Sequence, residues 1–217
     1  MTLSVDLYYT MRSPYCYLST PILSKLVEKY DLAFQVKPVY PLAVSDPDFF
    51  KRVNPLWPPY LQKDTKRIAQ RLNIPFQWPR PDPIVQDMNT RKIAPEQPYI
   101  TRLTHSAQLA SEQGLGLEYV SAVSGLLYNP EVDGWDQGTH LADALQSIGL
   151  DKNKLDQERK EQAERLEEKI QQNRRDQLAC GHWGAPLFVF AEEIFFGQDR
   201  IEDLVWHLKQ QGLSVKN

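Results

Sequence analysis

The chain switches its hydrophobic period twice within its first forty residues. LSVDLYY (3–9) alternates and is rich in β formers, so it reads as a strand. From Pro14 onward Leu18, Ile22, Leu23, Leu26, Val27 and Tyr30 recur at helical spacing. AFQVKPVY (33–40) returns to strand character, with Pro38 limiting its ladder bonding. The beginning is therefore a β-α-β unit whose helix crosses between two strands. The far end is β again: APLFVFA (185–191), EEIFFG (192–197), and then a closing helix in QDRIEDLVWHLKQQG. That helix carries Ile201, Leu204, Val205 and Leu208 on one face and is followed by Gly212.

The segment between these ends has no strand-like alternation. Proline punctuates YPLAVSDPDFF, NPLWPPY and IPFQWPRPDP, and amphipathic stripes fill the rest. They are Leu61, Thr65, Ile68 and Leu72; Tyr99, Leu103, Ala107 and Ala110; Leu117, Val120, Ser124 and Leu127; and Leu141, Ala144, Leu145 and Ile148. Residues 151–176 carry as many acidic as basic side chains over Leu155, Leu166 and Ile170, the pattern of a solvated helix with i,i+4 pairs. The expected fold class is α/β, β-α-β followed by β-β-α in one sheet, with a large all-helical insertion. Residues 1–45 and 180–217 build the sheet-bearing domain, and 46–179 the helical one.

Composition narrows the function. A net charge of −3 leaves no basic field for nucleic acid or an acidic membrane, so neither is expected as a partner. No apolar run approaches the roughly 18 residues of a membrane span, and MTLSVDLYYT lacks the basic and apolar regions of a signal peptide. Cys16 and Cys180 are too few for a disulfide framework. The expected setting is cytoplasmic and reducing. His105, His140 and His207 have no metal-ligand spacing with one another or with a cysteine, and no metal is expected.

Four places can carry chemistry. RSPYC (12–16) puts Ser13 and Cys16 three residues apart where a strand opens onto a helix. Cysteine at both positions would make a thiol redox motif, but here the first is serine. Ser13 before a proline fits an N-cap, and the same hydroxyl, at the positive end of the helix dipole, can face an anion. Cys16, one turn in, reads as a small buried hydrophobe. In CGHWGAPLFVF (180–190) a glycine-rich loop enters a strand at Ala185-Pro186, and His182 is either a loop-packing residue or an acid or base. FFGQDRIEDL (195–204) places Gln198 and Asp199 where a strand meets the last helix, as helix-start residues or as ligands for an ammonium and a carboxylate. Trp57, Tyr60, Phe76 and Trp78 can pack the core or wall an aromatic pocket.

Taken in order, S-P-Y-C after the first strand, the helical insertion, G-H-W-G-A-P entering a strand and F-F-G-Q-D-R before the last helix resemble the 2-hydroxychromene-2-carboxylate isomerases and kappa-class glutathione transferases. These are relatives of DsbA, so the resemblance implies a thioredoxin fold over nearly the whole chain and glutathione as cofactor. It places Ser13 against the glutathione sulfur, the backbone of Ala185 along the tripeptide, Pro186 as a cis-proline behind it, and Gln198 and Asp199 at the γ-glutamyl end. Asn54 matches an asparagine of the glutathione-binding loop. Tyr60 and Asp64 match a Y-x-x-x-D helix start, and Asn89 and Thr90 a later N-[ST] step. Trp57, Tyr60, Asn89 and His182 are the expected substrate pocket. Trp57 stands where relatives carry a lysine for the glycine carboxylate of glutathione, leaving Lys51 or Lys63 as replacements.

The reaction so implied is isomerisation of an unsaturated aromatic acid. A free thiol near pKa 8.5 needs about 2 kcal/mol of selective anion stabilisation to drop by roughly 1.5 units. One hydrogen bond to the anion (about 1.5–3 kcal/mol) and a helix N-terminus (about 0.3–1 kcal/mol) supply it. The alternatives are a kappa-like glutathione transferase or peroxidase, a DsbA-like thiol oxidoreductase relative, which Ser13 disfavours, and a non-catalytic thioredoxin-fold module. A small aromatic substrate is the expected partner, and a homodimer is compatible with the sequence.

Overall fold

The computed structural model describes residues 2–87, 90 and 92–216. Strand β1 (Leu3–Tyr9) leads into helix α1 (Pro14–Lys29), which returns the chain to β2 (Leu32–Pro38). Helices α2 (Leu42–Ser45), α3 (Phe49–Arg52), α4 (Trp57–Leu72), α5 (Pro98–Glu112), α6 (Gly116–Leu127), α7 (His140–Gln146), α8 (Lys152–Glu161) and α9 (Ala163–Ala179) follow. The hairpin β3 (Leu187–Phe190) and β4 (Glu193–Phe196), a 3₁₀ turn (Gln198–Arg200) and α10 (Ile201–Gln210) complete the fold. This is the expected α/β arrangement.

The sheet runs β2-β1-β3-β4. β1 pairs with β2 in parallel, Val5 opposite Phe34 and Leu7 opposite Val36, and with β3 antiparallel, Leu7 opposite Phe188. Alternation then sends Val5, Leu7, Tyr9, Phe34, Val36 and Phe188 to one face, all in the main core. Tyr8, Val39 and Leu187 form a small second cluster. The main core is continuous from the sheet into the helices, taking in Ile68, Leu103, Ala107, Val120, Leu127, Leu145, Leu155 and Leu166. The middle stripes read from sequence thus join the same core as the sheet.

The charged run at 151–176 differs from its reading as one solvated helix. It breaks at Gln162 into α8 and α9, and α9 packs against β2 and α5. Its apolar stripe, Leu166 and Ile170, continues through Asn173 and Gln177, at most 1% exposed. The amide nitrogen of Asn173 is satisfied there, donating to the Pro38 carbonyl at 3.0 Å and to Gln108 Oε1 at 2.9 Å, while its Oδ1 is buried without a partner among the described residues.

Candidate functional site

The site is built where the head of α1 meets the turn into β3. Ser13 is the N-cap of α1, extended at φ −84° and ψ 122°, with Pro14 at the first helical position. Its Oγ accepts from the Cys16 amide at 3.3 Å and donates to the Ala185 carbonyl at 3.4 Å, across 172 residues of sequence. Both bonds are long, so the hydroxyl can turn to a stronger acceptor at little cost. Ala185–Pro186 is cis, as the family resemblance implied.

Cys16 is fully buried, and that burial pushes its thiol up to about 12, with backbone at Thr10 and the Ser13 hydroxyl pulling the other way. It therefore stays a protonated packing residue at neutral pH. Cys180 is half-buried, 4.0 Å from the Tyr8 hydroxyl, and both cysteines are free thiols.

Two devices fix the loop before Ala185. Gly184 lies so close to β4 that a Cβ there would stand 2.3 Å from the Phe196 ring. Helix α9 holds the same loop by its backbone: Gln177 Nε2 donates to the Gly184 carbonyl at 2.7 Å and Arg174 Nη1 to the Trp183 carbonyl at 2.8 Å. His182 stacks on Phe196 with centroids 4.0 Å apart, and its Nδ1 accepts from the Gly184 amide at 2.9 Å. Burial lowers its pKa, so the neutral ring carries its proton on Nε2. These contacts make His182 a shaper of the loop.

The third side is the 3₁₀ turn, which packs against α1 and begins after Gly197 at φ +102°. Gly197 also leaves room for the Asp199 carboxylate, whose Oδ1 would lie 2.5 Å from a Cβ at that position. Gln198 is 7% exposed and its amide bonds to no protein group among the described residues, whereas Asp199 is exposed beside Arg200. Tyr15, inside the S-P-Y-C stretch, donates to Asp64 Oδ2 at 2.8 Å, and the exposed Tyr60 reaches the same carboxylate at 3.4 Å. Burial and Asp64 together push the Tyr15 phenol well above its usual value, with Asp199 adding in the same direction.

The structure thus brings Ser13, Ala185, Pro186 and Gln198 together, with Asp199, Asp64 and Tyr60 around Tyr15. Asn54 turns its carboxamide back on its own loop, accepting from the Leu56 amide at 3.0 Å, and Trp57 is partly exposed at the start of α4. Asn89 lies outside the described residues; Thr90 is described, and its amide donates to Asp87 at 2.8 Å. Phe76 and Trp78 belong to an aromatic stack with Tyr17 and Tyr128. The cysteine, histidine and carboxylate side chains form no metal-holding group among the described residues.

Sequence reasoning passed over three contributors. Tyr15 lay within the motif but received no part. Arg12, next to Ser13, pairs with Asp82 at 2.7 Å and lies over the Trp78 ring at 4.8 Å, clamping the proline-rich loop to the turn between β1 and α1. Arg174 was hidden in the charged run, where the polar continuation of the apolar stripe at Asn173 and Gln177 was the available signal.

This geometry, a capped helix after β1 facing an X-Pro turn into an antiparallel strand, has a counterpart among known proteins. A profile for the DSBA-like thioredoxin domain matches residues 4–209. The chain belongs to that family. Among solved structures it resembles a 2-hydroxychromene-2-carboxylate isomerase, with a TM-score of 0.71, 20% identity and 96% of each chain covered. It also resembles the cytosolic disulfide reductase DsbM from Pseudomonas aeruginosa, with a TM-score of 0.60, 17% identity and 96% and 98% of the two chains covered. DsbM has been solved with glutathione as well. A probable DsbA oxidoreductase from Streptomyces coelicolor superposes with a TM-score of 0.65 at 14% identity, covering 96% and 89%. At these identities the likeness is one of fold. The chain matches no curated protein sequence. No described helix is long and apolar enough to cross a membrane.

Proposed function

We propose that this DsbA-like protein is a glutathione-dependent isomerase of an unsaturated aromatic acid, with Ser13 as the donor that stabilises the bound glutathione thiolate. The observation that carries the reading is the division of labour at the head of α1. A hydroxyl stands where the redox relatives' first thiol is expected, and the one cysteine beside it is buried with its proton held. Such a site cannot cycle between dithiol and disulfide by itself, so its nucleophile comes from a bound thiol.

The residues present suit a peptide thiol. The Ala185 backbone and the Ser13 hydroxyl flank the sulfur position. The Gln198 amide, which bonds no protein group among the described residues, and the Asp199 carboxylate suit the two charges of an α-amino acid end. The thiolate adds to the conjugated double bond, and the π electrons move onto the acceptor carbonyl as an enolate. The former double bond rotates, and collapse of the enolate restores the alkene and expels the thiolate. No glutathione is consumed.

The test has two arms. Glutathione should raise the melting temperature more than S-methylglutathione does, because only the free thiol can ionise against Ser13. A conjugated arylidene acid should then isomerise at constant total thiol. Stoichiometric loss of glutathione identifies a transferase instead, and no stabilisation by either form removes glutathione from the account.

A further inference from the structure

One cleft plays no part in the roles assigned so far. Leu42, Phe49, Arg52, Val53, Arg174 and Trp183 enclose about 400 Å³ between the short helices after β2 and the loop before Ala185. That volume falls within the range of about 300–1,000 Å³ typical of small-molecule sites. Its walls are aromatic and aliphatic, the Phe49 and Trp183 rings meeting at 55° with centroids 5.3 Å apart.

Its charges are unequal. Arg52 is paired with Asp46. Arg174 is not in any ion pair among the described residues, although its neighbours along α9 are: Arg165 pairs with Glu112 and Arg175 with Glu168. Arg174 spends Nη1 on Gln177 Oε1 at 2.7 Å and the Trp183 carbonyl at 2.8 Å, while Nε and Nη2 meet no acceptor among the described residues. Burial pulls its pKa down, and Asp46 opposes that only in part. A half-buried guanidinium held on backbone through one nitrogen leaves two donors in a planar fork, the geometry that suits a carboxylate. With Arg52 and Asp46 cancelling, the cleft carries one net positive charge.

We propose that this cleft binds a planar aromatic monocarboxylate, the carboxylate on the free edge of Arg174 and the ring against Trp183 and Phe49. The single uncompensated charge selects a monoanion, and Asp46 disfavours a second carboxylate. Trp183 and Ala185 are two residues apart, so their Cα atoms lie within about 7.6 Å of each other. An acid seated on Trp183 therefore lies close along the chain to the Ala185 carbonyl that Ser13 bonds. What the acid meets there rests on the isomerase reading, but its binding does not.

The experiment is calorimetric titration of the whole protein with trans-cinnamate and, as an uncharged counterpart, cinnamamide, both without glutathione. Cinnamate should bind at least tenfold more tightly than cinnamamide. Arg174→Met should abolish that preference, Arg174→Lys should restore part of it, and Arg175→Met should leave it intact. Trp183→Leu should weaken both ligands together. Equal affinity for the two compounds, or no heat from either, overturns the proposal using wild-type protein alone. A parallel titration with glutathione and its glycine ethyl ester separates the other source of a carboxylate. If Arg174→Met weakens glutathione but not the ester, and cinnamate does not bind, the cleft holds the glycine end of the tripeptide and the proposal is wrong. Cinnamate binding that persists where glutathione fails to bind leaves this site standing and removes the isomerase reading.

Discussion

Ser13→Cys, in a Cys180→Ser background, probes the electrostatics on which the site depends. The variant reads Cys-Pro-Tyr-Cys at the head of α1. Cys16, held up to about 12 by burial, has a thiolate fraction on the order of 10⁻⁵ at pH 7 and is silent to alkylating reagents. The new thiol starts from about 8.5. Its anion gains about 0.3–1 kcal/mol from the helix N-terminus and about 1.5–3 kcal/mol from the Cys16 amide that now bonds Ser13 Oγ. At 1.36 kcal/mol per pKa unit that is about 1.3–3 units, a thiol titrating near pH 5.5–7. The assay is the pH dependence of iodoacetamide alkylation, which should rise through that midpoint and level off above it, followed by thiol titration before and after mild oxidation. The pair should close to a disulfide and reduce small disulfide substrates faster than wild type. Isomerase activity should fall, because a second thiolate repels the glutathione sulfur. A midpoint at or above 8.5 would show that no anion is stabilised there, and the account of the glutathione thiolate would fall with it. Two thiols that stay free under oxidant would refute the thioredoxin-type geometry around residue 13.

Three further outcomes are expected. Ser13→Ala removes at least about 1.4 kcal/mol of anion stabilisation and should cut turnover about tenfold or more, whereas Cys16→Ser should keep most of it; equal losses in steady-state kinetics would reverse the two roles. Gly184→Ala drives a Cβ to within 2.3 Å of the Phe196 ring and should destabilise by about 1–3 kcal/mol, an effect that adding Phe196→Ala relieves; a single variant that melts like wild type contradicts the close approach. Burial lowers the pKa of His182, so its contribution to stability is complete above the unfolded value of about 6.5 and is lost as pH falls from there through the lowered folded value. His182→Phe should therefore flatten part of the acid side of the melting profile, and an unchanged slope would show that the ring does not titrate on unfolding.

The strands and the crossover helix were legible because their apolar side chains recur at strand or helix spacing: residues 3–9 were read as a strand, and β1 is Leu3–Tyr9. The middle helices were legible for the same reason. Helix α9 was legible as a helix but not as a docked one, since half of its buried face is the polar pair Asn173 and Gln177. Within the site, Ser13, Ala185, Pro186 and Gln198 stand at junctions between regular elements, and neighbouring periodicities locate such junctions. Asn54 and Trp57 sit in a proline-punctuated connection whose path depends on contacts no local pattern encodes. Arg174 shows the same limit from the other side. Only the fold reveals which arginine of a balanced run lacks a counter-ion among the described residues.

The two halves of the site are held by very different lengths of chain. The bond from Gln177 to the Gly184 carbonyl spans seven residues, and the one from Ser13 to the Ala185 carbonyl spans 172. Closing the longer loop costs about 3 kcal/mol more in chain entropy. The turn before Ala185 can accordingly be fastened to α9 as soon as that helix forms, within a hairpin-sized piece of sequence. The β1 edge arrives later, onto a surface already shaped. Amides of the 183–185 turn should thus gain protection from hydrogen exchange ahead of those around Ser13 during refolding, so that the docking edge is a local structure in kinetic terms and the thiolate position a global one.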